Sequence, residues 1–234
     1  IPLPFNDSIV YTFGKQIEET SLLVVNKIDL ISPEELAELK PVLAARYPEK
    51  TILYQVSLDR VYTPWVQALE TGRAGMPEKR EDFSVDYKQY AAGELSMAWV
   101  DEAVEVNGET PAVVGQAVES MIAGVLAQVQ DMKLGIAHLK VFVRSGGQSA
   151  KISFTAADRT EAMDWRSLLP KQFDSQASLL FNARIETRPY VLYDILADAQ
   201  KQAAEASGAR ISSGDARAFQ PQVPPPGERY TPEA

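Results

Sequence analysis

The most constraining stretch of this chain is a short apolar run, Ser21-Leu22-Leu23-Val24-Val25, followed at once by polar residues and then by a helix start. An unbroken apolar run of this length predicts a parallel strand covered on both faces. Just beyond it, Ser32-Pro33-Glu34-Glu35 supplies a hydroxyl cap, a proline at the first helical position and a glutamate placed to complete a capping box. Leu36, Leu39 and Leu43 give that helix an apolar side. Pro41 removes one internal hydrogen bond and is expected to bend it before Tyr47-Pro48 ends it. Thr51 to Val56 reads as a second strand, and Thr63-Pro64 opens a short helix bearing Trp65, Val66 and Leu69. Alternating strands and helices predict an α/β unit with a parallel sheet over residues 1–72.

From residue 73 to 92 the chain turns to Gly, Pro, Lys, Arg, Glu and Asp, the composition of a linker. A second domain is expected over 93–220. Glu94 to Val106 has strand character and Asn107-Gly108 marks a turn. Pro111 to Lys133 repeats Val114, Val118, Met121, Ile122, Val125 and Val129 at helical spacing. Strands over His138 to Val143 and Ala150 to Thr155 flank Ser145-Gly146-Gly147-Gln148 as a hairpin, Ser178 to Ile185 adds another, and Pro189 to Ala206 is a long helix. This order predicts a ferredoxin-like α+β layer, with Arg210 to Phe219 as a last edge strand. Residues 221–234 read as an extended, proline-rich tail.

Composition narrows the functions. The 234 residues carry a net charge of -9, which argues against a polyanion such as nucleic acid as partner. The chain has no cysteine, so disulfides, thiolate zinc sites and cysteine nucleophiles are excluded within it. No uninterrupted apolar stretch approaches the roughly 20 residues of a bilayer span, and Ile1 to Val10 lacks the basic start of a signal peptide. A soluble, cytoplasmic protein without membrane contact is expected. The chain opens on Ile1 rather than methionine, so it reads as part of a longer protein.

The sharpest chemical signal is Asn26-Lys27-Ile28-Asp29, at the carboxyl end of the first strand. In open α/β sheets, ligands gather beyond that end. The Asp29 carboxylate suits guanine, accepting from both N1–H and the exocyclic amine, whereas adenine offers an acceptor at N1. Such pairing discriminates by about 10⁴ or more, because the wrong base leaves buried groups unpaired. Asn26 can donate to the opposite edge of the base, and the Lys27 stem can cover its face. With 4 Asn, 11 Lys and 13 Asp in the chain, random order gives about 0.01 matches. The alternative is a solvated turn in which Asn26 and Asp29 serve backbone groups.

Gln16 to Leu30 resembles the guanine-recognition end of CobW-type GTPases, which belong with the nickel-enzyme maturation GTPases. The likeness extends through the helix after Ser32 to the strand ending Val56-Ser57, where P-loop GTPases carry a second guanine-contacting loop. Val56-Ser57-Leu58 stands in place of the Ser-Ala-Lys pattern, leaving Ser57 as candidate through its backbone and Asp59 as a cap or turn residue. Ala216 to Pro221 followed by Pro224-Pro225-Pro226 is similar to the closing segment of some CobW-like proteins. The histidine-containing signature of their carboxy-terminal domains is absent. The resemblance implies GTP or GDP with Mg2+ as cofactor and a client metalloprotein or cofactor-assembly protein as partner, with GTP hydrolysis driving metal or cobalamin delivery. No Gly-x-x-x-x-Gly-Lys-Ser/Thr loop occurs in the chain. The phosphate loop, the magnesium-binding aspartate and a Cys-x-Cys-Cys motif are therefore expected upstream in a full-length parent, and this chain alone is expected to be inactive. The other reading is a protein-interaction or homo-oligomerisation module without nucleotide chemistry.

Other residues carry weaker signals. His138, the single histidine, is expected as a packed or hydrogen-bonded residue rather than a ligand. Glu18-Glu19, Glu34-Glu35 and Asp101-Glu102 read as solvated surface, and Arg184 with Arg188 around Glu186 as a surface ion pair, with an anion site as the alternative. Ser153 and Ser178 have no histidine nearby in sequence to support hydrolase chemistry.

Overall fold

The computed structural model describes residues 5–72, 85–155, 164–214 and 216–222. It begins with helix α1 (Asp7–Glu19), whose first turn is held by Asn6 Oδ1 accepting from Ser8 N at 3.0 Å and Ile9 N at 3.1 Å. This helix has no counterpart in the sequence reading, since Gly14 interrupts its apolar set and lowers its local preference. The described residues divide into two units: Tyr11–Asp86, and the remainder.

The smaller unit is built on strands β1 (Leu22–Asn26) and β2 (Thr51–Gln55), paired in parallel with Leu22 opposite Thr51 and Asn26 opposite Gln55. Between them runs α2 (Pro33–Arg46), and α3 (Thr63–Glu70) follows. The capping box forms as expected: Glu35 N donates to Ser32 Oγ at 3.1 Å, and Ser32 N donates to Glu35 Oε2 at 2.9 Å. Helix α2 passes through Pro41 as one element and closes where Tyr47 N donates to Leu43 O at 2.9 Å. One expectation fails. Leu22 to Val25 are half-buried rather than covered on both faces, and α2 has no buried residue.

The larger unit contains α4 (Tyr87–Leu95), β3 (Met97–Asn107), α5 (Pro111–Asp131), β4 (Ile136–Ser145) and β5 (Gln148–Phe154). It continues with β6 (Gln176–Glu186), α6 (Pro189–Ser207), β7 (Arg210–Ser213) and β8 (Arg217–Phe219). The strands lie in the order β5-β4-β6-β3-β7, with every neighbouring pair antiparallel. The expected single edge strand is two short ones: β7 pairs with Val104 to Asn107 and β8 with Trp99 to Asp101. Gly214 N, between them, donates to Ala103 O at 2.8 Å. Of the expected linker, residues 73–84 lie outside the described residues and α4 begins at Tyr87. Of the tail, residues 223–234 lie outside them.

Period-two alternation sends Ala98, Val100, Val104 and Val106 of β3, and Ala177, Leu179, Phe181, Ala183 and Ile185 of β6, to one face. There they form a single core with Val114, Val118, Met121, Ile122 and Val125 of α5 and Leu192, Ile195 and Leu196 of α6. Burying each large side chain contributes about 1.5–3 kcal/mol. Helix α5 is long and apolar enough to cross a membrane by length and composition alone, and here eight of its residues are buried in the structure. Glu102 corrects the reading of Asp101-Glu102 as solvated. Asp101 is exposed, but Glu102 shares the helix-facing side of β3 and is buried. Gln200 Nε2 donates to its Oε1 at 2.9 Å, and Ser213 Oγ donates to Gln200 Oε1 at 2.6 Å.

Candidate functional site

The candidate guanine-binding residues lie in the smaller unit, where β1 and β2 end level with each other. Because Asn26 stands opposite Gln55, the turns after the two strands emerge side by side, with neighbouring strands about 4.8 Å apart. The first turn begins at Lys27, whose backbone is left-handed with φ 62° and ψ 37°. For a residue with a Cβ this conformation costs about 1–2 kcal/mol, and such costs cluster at functional loops. It ends β1 abruptly and opens a single tight helical turn, Ile28–Leu30, closed by Leu30 N donating to Lys27 O at 3.1 Å.

Asn26, Lys27 and Asp29 are all exposed beyond the strand. The Asp29 side chain takes part in no hydrogen bond or ion pair among the described residues. Asp29 is therefore not tied to its own turn within the described residues. The second turn, Ser57–Asp59, is again a single tight helical turn, with Asp59 N donating to Val56 O at 3.1 Å. The backbone thus carries Asn26, Lys27, Asp29 and Ser57 on two adjacent turns at one end of the parallel pair. A base seated there would meet a carboxylate, an amide and backbone groups. The described residues hold no group of three or more His, Asp or Glu able to bind a metal ion.

Two features of the larger unit depart from the sequence reading. An open cavity of about 650 Å³ lies beside the start of α5, lined in part by Pro111, Gly115, Glu119, Arg166, Lys171 and Phe173. Arg166 Nε donates to Glu119 Oε1 at 2.5 Å across it. The second feature is the partner of Arg184, expected to be Glu186. Arg184 instead pairs with Glu94 of α4, Nη2 to Oε2 at 3.3 Å. Glu186 accepts from Asn6 Nδ2 at 2.7 Å. Both pairings join residues 90 or more apart in sequence, so no local pattern could announce them. His138 is half-buried against Trp99, as a packed histidine.

No protein-family model matches this chain, and no curated protein matches it.

Proposed function

We propose that this chain is the carboxy-terminal portion of a CobW-like GTP-binding protein, in which Asn26, Lys27 and Asp29 select guanine and the Ser57 turn supports the base. The observation that carries this reading is the Asp29 carboxylate: exposed, without a partner among the described residues, and beside a second turn at the carboxyl edge of a parallel pair. An unpaired acceptor at that edge suits the two adjacent N–H donors of guanine.

The half-exposed apolar strands support the same reading. Parallel sheets occur with both faces covered, and two parallel strands with Leu22 to Val25 only half-buried suit a sheet that continues into further strands of a parent. The larger unit fits a ferredoxin-like layer. Strands β3, β4, β6 and β7 with α5 and α6 follow the βαββαβ order, and β5 is an added edge strand. The residues present suit only the base end of GTP, since the chain carries no glycine-rich lysine loop for the phosphates. GTP with Mg2+, hydrolysis, and hand-over of a metal or corrinoid to a client protein belong to the parent in this reading. The same exposed strands favour a second reading, an interaction or oligomerisation module that uses this face against another protein.

Guanosine and adenosine monophosphates test the base site without calling on a phosphate loop. On the intact chain, guanosine monophosphate is expected to shift the backbone signals of Asn26, Asp29 and Ser57 in NMR spectra, and adenosine monophosphate is not. In a parent carrying the phosphate loop, Asp29→Asn should weaken GTP and favour the xanthine nucleotide by about 10²-fold or more, because the new amide can donate to the xanthine carbonyl. An unchanged guanine preference in that titration would overturn the assignment.

A further inference from the structure

On the sheet face away from α5 and α6, one row of side chains crosses four strands. Trp99 of β3 is opposite Arg184 of β6, Arg184 is opposite His138 of β4, and Phe219 of β8 is opposite Trp99. The Arg184 guanidinium stands 4.8 Å from the centre of the Trp99 ring. Phe219 stacks on that ring at 6.1 Å, and His138 meets it edge-on at 5.9 Å. These contacts hold the guanidinium in place without using its hydrogen bonds.

Trp99 Nε1, Arg184 Nε and His138 Nε2 are buried, and none of the three atoms has a hydrogen-bond partner among the described residues. Tryptophan Nε1 and arginine Nε can only donate. Native proteins pair nearly all such atoms, so two orphaned donors, Trp99 Nε1 and Arg184 Nε, point to an acceptor that the described residues do not supply. Among the described residues, Glu94 engages Arg184 through Nη2 at 3.3 Å and leaves Nε unpaired. Burial holds the His138 pKa below its ordinary value, with Lys140 acting in the same direction, so the imidazole is neutral near pH 7. The row thus offers one guanidinium and neutral donors, a match in charge for a monoanion.

We propose that the Trp99–Arg184–His138 row is a binding site for a small carboxylate, which accepts from Trp99 Nε1 and Arg184 Nε and displaces Glu94, its internal stand-in. The two oxygens of a planar carboxylate can serve two donors on facing strands, and Glu94 is the same chemical group already held by the same guanidinium. This site lies wholly in the larger unit and is independent of the guanine reading.

Acetate is the probe, and the readouts are the Trp99 indole N–H and Arg184 Nε–H signals in NMR spectra of the intact chain. Both are expected to shift saturably. Glu94→Gln removes the competing charge and should tighten acetate by about tenfold. Trp99→Phe keeps the stacked ring but loses the donor, and should weaken acetate by about tenfold at the Arg184 signal. Thermal melts of both variants verify folding. Three outcomes overturn the proposal: neither signal moves in the wild type or in Glu94→Gln, so that ordered water serves these atoms; Glu94→Gln fails to tighten acetate; or inorganic phosphate saturates the signals at lower concentration than acetate.

Discussion

His138 is a residue whose surroundings oppose its charged form. Burial acts most, Lys140 and Arg184 add repulsion, and hydrogen bonding to Asn182 with attraction from Asp101 offsets part of it. Its folded pKa therefore lies below the 6.5 of the unfolded chain, so the unfolded state takes up the proton first as pH falls. Stability is fully present above that value and is lost as pH falls toward the folded pKa. Melting temperatures taken at about pH 7.5 and 5.5 should drop further for the wild type than for His138→Gln, which cannot take up that proton. Equal drops would remove His138 from the acid response. At this scale the sequence was partly legible. Glu102 shares strand parity with Val100, Val104 and Val106, so alternation alone carried the signal of its burial. The guanine-type residues were readable because strand, polar segment and cap are contiguous. The Glu94–Arg184 pair was not, because it depends on where a helix 90 residues away comes to rest.

Among elements, the β4–β5 hairpin shows why local signals survive into the structure. Ser145 pairs with Gln148, leaving Gly146 and Gly147 as a two-residue loop with φ 57° and 71°, the pair of positive angles that a tight hairpin of this twist requires. The two glycines differ in surroundings. A Cβ at Gly146 would lie 2.7 Å from Gln172 O, whereas one at Gly147 meets nothing within 4 Å. Gly147→Ala should cost about 1–2 kcal/mol from the left-handed backbone alone. Gly146→Ala should cost about 1–3 kcal/mol beyond that, since a backbone carbonyl must move. Urea denaturation of the two variants measures the difference, and equal midpoints would show that Gln172 yields freely. The capping box of α2 was legible for the same reason, with all its chemistry inside four residues. Helices α1 and α4 were not, each carrying a glycine, Gly14 or Gly93, inside a short and weakly apolar pattern.

At the level of the whole molecule, the two units hold their strands differently. In the larger, each long strand of the sheet alternates buried and accessible positions over a continuous core. In the smaller, β1 and β2 are half-buried along their apolar length. The strand–helix alternation announced a parallel pair correctly but carried no information on how many strands cover it. The order β5-β4-β6-β3-β7 depends on pairings distant in sequence, and the two-part edge of β7 and β8 depends on Gly214 bonding Ala103 between them. That edge also guards β3. Ending the chain at Gly208 would bare the hydrogen-bonding groups from Trp99 to Asn107, and the shortened protein should elute as larger, self-associated species in size-exclusion chromatography at matched concentration. Elution as for the intact chain would show that β7 and β8 do not guard this edge.

Strand β3 comes first in its sheet, yet its flank is closed by Arg210 to Phe219. On the ribosome, β3 can meet β6 once Glu186 has emerged, and must then wait with one side open while α6 and the closing strands are still being made. During that interval of synthesis the nascent sheet is most exposed to pairing with neighbouring chains, and shelter by a chaperone would matter most.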